Sequence, residues 1–235
     1  MLVNNVEYSV GVVLTQWKRP HLEKQLRQII NQTIKIDYVI VFQNEKHVDI
    51  SDLIKKYNVI HVHSSYNTKY FGRFSYFFTI PVDICIVMDD DIIPGTNCIK
   101  NYVEQCVNKN AIIGGNGRRA LNGGGVSTET GVRPSKIADF VGHMWCFKKD
   151  WLYFMFGTKP YTYDTSEDMH LCYSSKFFGS IDSYVAEHKT KEDCCDITNN
   201  RLASDSVASF TKTPRSLRNS VEEYWQKKGV KFLGK

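Results

Sequence analysis

The chain has 235 residues, 42% of them hydrophobic, and a formal net charge of +5. Such a chain buries a full core, and residues 1–235 are expected to form a single domain. The mild positive charge suits a ligand that carries phosphates, but with no basic cluster it argues against a nucleic-acid partner.

Taken in chain order, residues 8–15 (Tyr-Ser-Val-Gly-Val-Val-Leu-Thr) read as a first buried strand. Pro20 suits the first helical position, and Leu22, Leu26, Ile29 and Ile30 follow as an apolar face at helical spacing. Residues 38–42 read as a second strand ending at Gln43-Asn44-Glu45, residues 50–57 as a helix, and residues 59–62 as a third strand. A loop through Asn67 and Gly72 then leads into an aromatic helix over residues 73–80. This alternation predicts an α/β fold with a mixed, mostly parallel sheet flanked by helices.

The chain is organised around residues 84–94, Ile-Cys-Ile-Val-Met-Asp-Asp-Asp-Ile-Ile-Pro. An apolar run this short reads as a strand buried on both faces. Three adjacent carboxylates at its exit repel one another, which makes sense if a cation sits among them. Open α/β sheets bind ligands just beyond the carboxyl ends of their strands. A divalent metal at Asp89 and Asp91 with an anionic ligand beyond it is the functional reading, and an acidic turn after a core strand is the plain one.

Beyond this point, residues 97–108 read as a helix and residues 111–114 as a short strand. Residues 114–131 are so rich in glycine that a flexible loop is expected, either a lid or acceptor-side loop or a surface insertion. No phosphate-loop pattern is present in it. Strand character returns over residues 137–142 and 144–147, residues 149–156 look helical, and a helix follows Asp164-Thr165-Ser166-Glu167-Asp168 and ends near Gly179. Residues 183–187 form a last strand, residues 189–215 are polar and irregular, and residues 216–228 form an amphipathic terminal helix. In that polar stretch Arg201, Lys212 and Arg215 suit closure over a diphosphate, or a solvated charge run.

Glu167-Asp168 has two readings. Thr165 is a plausible N-cap with Asp168 three residues on, the spacing of a capping box. Alternatively, a carboxylate pair downstream of a metal-type Asp cluster supplies a general base. The seven cysteines show no CxxC pair, and Cys85, Cys146 and Cys172 have apolar neighbours, which favours reduced thiols. No apolar run approaches the roughly 20 residues needed to cross a bilayer, and no signal peptide is read at the N-terminus. A cytoplasmic location is expected, with peripheral docking to a membrane left open.

Val13-Leu14-Thr15 with Lys18-Arg19-Pro20, then Asp89-Asp90-Asp91, then Glu167-Asp168, together resemble a GT-A-fold glycosyltransferase of the family-2 type, with a secondary similarity to exostosin-like transferases. The segment from Val141 through Leu152, and Glu167-Asp168-Met169-His170-Leu171, resemble further parts of that family, so the likeness spans about residues 8–188. It implies the nucleotide-diphospho-sugar transferase fold, with a nucleotide-sugar donor, UDP-sugar preferred, and a glycan or glycoconjugate acceptor. It also implies Mn²⁺ or Mg²⁺ at Asp91 and Asp89, with His188 a possible further ligand. Donor contacts would come from Thr15, Arg19, Asn44, Arg73, Asp89 and Asp90. Asp168 would be the base and Glu167 its orienting partner, with inversion the simpler outcome and retention the exostosin-like alternative. Asn44 stands where the family often has an acid, and for Arg73 a surface ion pair is an equal reading. A nucleotidyltransferase would need a glycine-rich loop after the first strand, which is absent here. A non-catalytic sugar-binding descendant would be expected to lack one of the two acidic motifs, and both are present.

Overall fold

The structure, a computed structural model, describes residues 1–121, 123–127, 131–199, 201–202, 205 and 214–233. A hairpin opens the chain, β1 (Leu2–Val3) and β2 (Val6–Glu7), with Asn4 and Asn5 both at positive φ in its turn. Asparagine tolerates that conformation, which a two-residue hairpin turn requires. Next come three parallel strands, β3 (Val10–Gln16), β4 (Tyr38–Asn44) and β5 (Ile60–Ser64), running outward to one side. The chain then returns to pair β6 (Ile84–Met88) with the other edge of β3. Strand order therefore reverses between β3 and β6, and a crevice opens at their carboxyl ends. Every residue of β6 is buried, as a strand covered on both faces requires.

The crossovers are α1 (Leu22–Ile30), α2 (Ser51–Tyr57) and α3 (Gly72–Ser75), the last continued by a 3₁₀ turn over Tyr76–Thr79. Helix α1 has no side-chain cap and is held by burial of Leu22, Leu26 and Ile29, worth about 1.5–3 kcal/mol each. Ile30, expected on the apolar face, is instead exposed, and Gln25 takes the inward position. The Gln25 amide donates to the Asp89 carbonyl at 2.7 Å and the Ile92 carbonyl at 2.9 Å, so α1 grips the loop that carries the three aspartates.

The second half adds α4 (Cys98–Lys109), β7 (Ile112–Arg118), β8 (Gly125–Ser127), β9 (Lys136–Ala138) and β10 (Phe140–Lys148). It ends with α5 (Leu152–Phe156), α6 (Glu167–Gly179), β11 (Ser183–Val185) and α7 (Arg215–Lys228). One sheet runs in the order β5-β4-β3-β6-β10-β7-β11-β9, with β8 beside β7. It is parallel from β5 to β6 and mixed beyond, with β10 antiparallel to both β6 and β7.

Two expectations need correction. The glycines after residue 113 do not begin a loop, because β7 continues through Gly114, Gly115 and Gly117 to Arg118. A Cβ at Gly114 would overlap the Val141 side chain, one at Gly115 would lie 2.6 Å from Cys195 Sγ, and one at Gly117 2.7 Å from Val185. These glycines permit close sheet packing rather than flexibility. In addition, residues 137–142 are not one strand: Asp139 separates β9, which pairs with β11, from β10. All seven cysteines are buried, and none forms a disulfide among the described residues. Among the described residues no helix is long and apolar enough to cross a membrane.

Candidate active site

At the strand-order reversal lies a cleft of about 570 Å³. Thr15, Trp17 and Arg19 enter it from the exit of β3, and Asp89, Asp90 and Asp91 from the exit of β6. Asn44, Asn67, Lys69, Tyr70 and Arg73 line one wall. Another wall is made by Asn116, Arg118, Phe140, Gly142, His143 and Trp145 from β7 and β10, with Asp164, Thr165, Glu167 and Asp168 at the start of α6. Pro214, Leu217 and Arg218 close the rim.

Arg73 joins the two acidic motifs. Its guanidinium is only 4% exposed and pairs with Asp89 through Nη1 and with Glu167 through Nη2, the latter at 2.8 Å. Nη1 also donates to Thr15 Oγ1 at 3.2 Å, and the guanidinium carbon lies 4.7 Å from the centre of the Trp145 ring. Burial opposes the charge, but Asp89 and Glu167 outweigh it and hold the Arg73 pKa above its ordinary value. Trp145 is both core and cleft wall: its Nε1 donates to the Val141 carbonyl at 2.7 Å while its face carries Arg73.

Arg19 performs the same service for the other two aspartates. Its Nη1 lies 2.5 Å from Asp90 Oδ1 and 3.1 Å from Asp91 Oδ2. Its remaining edge holds Asp205 at 2.7 and 2.8 Å, the planar two-point pairing a guanidinium favours. Asp90 is buried, which raises its pKa against the opposing pull of Arg19. Asp91 is pushed up to about 7, first by burial and then by Asp89. Its Oδ1 is buried with no hydrogen-bond partner among the described residues. A buried carboxylate oxygen without a donor is costly unless something positive reaches it.

The loop of aspartates is fixed by β10. That strand slips register between Gly142 and Trp145, and His143 there has φ 66°. This bulge turns the His143 carbonyl to accept from Asp89 N at 3.0 Å and puts the ring where its charge favours ionised Asp91. At Gly142 a side chain is excluded: a Cβ would stand 2.9 Å from Asn116 Oδ1 and 4.0 Å from Asp168 Oδ2.

At the start of α6 the capping-box arrangement is absent. Ser166 is the N-cap, with φ 63° and no side-chain cap hydrogen bond, and Asp168 Oδ1 accepts from the amide of Met169 at 2.7 Å. Glu167 is raised to about 7 by burial and by Asp168, with Arg73 opposing. Asp168 is also raised by burial, with Arg218 opposing. Two neighbouring carboxyls thus have different cations, Arg73 for Glu167 and Arg218 for Asp168.

The remaining expected residues divide. Asn44 lines the cleft, but its amide is engaged: Nδ2 donates to Asn67 Oδ1 and the Lys69 carbonyl, and Oδ1 accepts from Thr68 N and Oγ1. It therefore braces the loop over residues 67–69. Trp17 lines the cleft with Nε1 donating to Glu45 at 3.3 Å. His188 is a correction. It is fully buried away from the cleft, 3.1 Å from Tyr102 Oη and 3.4 Å from Arg133 Nη2, and burial with Arg133 depresses it to about 4. A neutral histidine packed beside a cation is a structural residue, and it reaches none of the three aspartates. Lys212 lies outside the described residues, and Arg201 and Arg215 do not line the cleft. Gln25, Asn116, Gly142 and Arg218 were not read from sequence. Gln25 carried a signal, a lone amide at an inward position of α1.

No protein-family model matches the chain, and no curated protein matches it. Solved structures do. The chain is similar to TarS of S. aureus at 12% identity and TM-score 0.56, over 77% of this chain and 37% of that one. It is similar to TarS 1–349 in complex with UDP-GlcNAc at 12% identity and TM-score 0.56, over 77% and 59% of the two chains. The UDP complex of TarS 1–349 matches at 13% identity and TM-score 0.57, over 76% and 60%. The chain thus spans 37 to 60% of the length of these proteins. At such identity the likeness is one of fold, the α/β nucleotide-diphospho-sugar transferase (GT-A) architecture, and it lends no support to the exostosin-like similarity.

Proposed function

We propose that the protein is a glycosyltransferase that moves a sugar from a nucleoside diphosphate, a UDP-sugar, to a hydroxyl acceptor with inversion. The observation that carries this reading is the joining of Asp89 and Glu167 by one buried arginine, which places the metal-type acids and the base-type acids in one cleft. The UDP and UDP-GlcNAc bound by TarS support a nucleotide-sugar donor in the same fold.

Asp91 and Asp89 would hold a divalent cation, Mn²⁺ or Mg²⁺. The donor set fits: hard carboxylate oxygens, one of them buried and without a donor among the described residues, on a residue whose pKa is raised by burial and then by a neighbouring acid. Among the described residues no cluster of three or more acidic, His or Cys side chains is arranged to enclose a metal, so the phosphates and water would complete the coordination. Bound there, the cation supplies Lewis-acid stabilisation of the departing diphosphate. Thr15, Trp17 and the loop braced by Asn44 receive the nucleoside. Asp168 accepts the acceptor's proton as its oxygen bonds to the anomeric carbon and the carbon–phosphate-oxygen bond breaks to release the nucleoside diphosphate. Glu167, tied to Arg73, orients the start of α6.

A thermal-shift panel of nucleotides and nucleotide sugars with and without Mn²⁺ tests the reading. A shift selective for uridine nucleotides that requires Mn²⁺ is expected. No shift with any nucleotide sugar would contradict it.

A further inference from the structure

Two cleft arginines hold no ligand group in the scheme above, although one of them, Arg218, acts on Asp168. Arg19 and Arg73 are taken up by carboxylates, whereas Arg118 and Arg218 line the cleft without an ion pair among the described residues. Arg118 ends β7, two strand positions beyond β6 on the side away from Thr15 and Asn44. Arg218 lies in the first turn of α7, and that helix is docked firmly. Glu222 Oε2 accepts from Leu121 N at 2.5 Å, and Val221 and Trp225 are buried. Arg218 precedes Glu222 by four residues and so shares its helix face, toward the chain leaving β7 at Arg118. Both cations are thus placed by packed elements.

Their surroundings are those of the start of α6 and the end of β7. Arg218 is the cation that acts on Asp168, and Asn116 Oδ1 and Asp168 Oδ2 approach the same face of Gly142. The apolar surfaces of Phe140 and Leu217 line the cleft with them. An acceptor arriving here meets two carboxyls, Glu167 and Asp168, so an anionic acceptor would be repelled unless cations offset them. Guanidinium groups pair with phosphate and carboxylate in a two-point geometry that neutral sugars do not match.

We propose that Arg118 and Arg218 form an oxyanion subsite on the acceptor side of the cleft, and that the acceptor carries a phosphate or carboxylate near the hydroxyl that receives the sugar. This rests on the transferase reading above and names the class of its second substrate. The subsite holds the anionic group while Asp168 faces the hydroxyl, and phosphate and carboxylate acceptors share that chemistry.

The test uses the full chain saturated with UDP and Mn²⁺, which fills the diphosphate position, and titrates glucose 6-phosphate, glucuronate and glucose by calorimetry. The anionic probes are expected to bind at least ten times more tightly than glucose, and the tighter of the two identifies the phosphate or carboxylate source. Arg118→Gln with Arg218→Gln should erase that preference with an unchanged melting temperature, and Arg218→Lys should keep part of it. Equal binding of all three probes, or a preference that survives in the double variant, would overturn the subsite. Failure of UDP itself to bind would overturn the transferase reading, and with it the acceptor role of these arginines.

Discussion

Removing the Arg73 guanidinium leaves the half-buried Asp89 and the buried Glu167 with no cation between them. Breaking one side of a buried charge network costs roughly 3–5 kcal/mol. Arg73→Gln should therefore lower the melting temperature by many degrees, and adding Glu167→Gln should recover part of the loss. A single variant as stable as wild type would mean that the guanidinium does not hold the acids together. Asp168 is proposed as the base, and among the described residues its hydrogen-bond donor is the Met169 amide. Asp168→Asn should slow sugar transfer by about 10²–10⁴-fold while UDP still binds, the usual loss for a general base. Near-normal turnover would leave Asp168 with a helix-start role alone. His188 tests its own reassignment. Its native pKa of about 4 lies below the ordinary value of about 6.5, so the unfolded chain takes up the proton first as pH falls. Its contribution to stability is complete above about pH 6.5 and is lost toward pH 4. The His188 ring signals in NMR should stay constant from pH 8 to 5.5, and a midpoint near 6.5 would contradict the buried neutral assignment.

At the scale of elements, β7 and β10 decide how closely the second half of the sheet packs. Gly114→Ala pushes a methyl into Val141, and overpacking of this kind costs typically 1–3 kcal/mol. Chemical denaturation should show that loss, and Val141→Ala in the same chain should return much of it. A neutral Gly114→Ala would show that the strands have room to separate. This pair also shows why β7 was hidden from the sequence. Gly-Gly-Asn-Gly reads locally as a loop, and only the side chains of Val141, Cys195 and Val185, distant in sequence, turn the glycines into a packing requirement. By contrast, β3, β4 and β6 were legible because β-branched runs buried on both faces are a local signal. The start of α6 was legible in position but not in form. Thr165 and Asp168 have capping-box spacing, yet Ser166 rather than Thr165 stands at the N-cap position, with φ 63° and no side-chain cap hydrogen bond, so no box forms. The Gln25 contact with the Asp89 carbonyl was likewise unreadable, since it joins residues 64 apart in sequence.

Across the whole molecule, the reversal of strand order between β3 and β6 explains why the carboxylate motifs matter together. Sequence order separates Arg19, Arg73, Asp89–Asp91 and Glu167–Asp168, and the sheet brings all of them to one crevice. Each motif was visible in isolation, and their order suggested a fold. The arginine pairings were not visible, because they depend on three-dimensional approach across the sheet. In the same way Arg118 and Arg218 acquire meaning only when α7 is docked beside the end of β7. Asp91 and Asp89 are proposed to hold a divalent cation together with a nucleoside diphosphate. Calorimetric titration of UDP into wild type and Asp91→Ala, with and without Mn²⁺, tests it most directly. Wild type should bind UDP only with Mn²⁺, and Asp91→Ala should keep its fold but lose the Mn²⁺-dependent binding. UDP binding that ignores Mn²⁺, or that is unchanged in Asp91→Ala, would contradict the account.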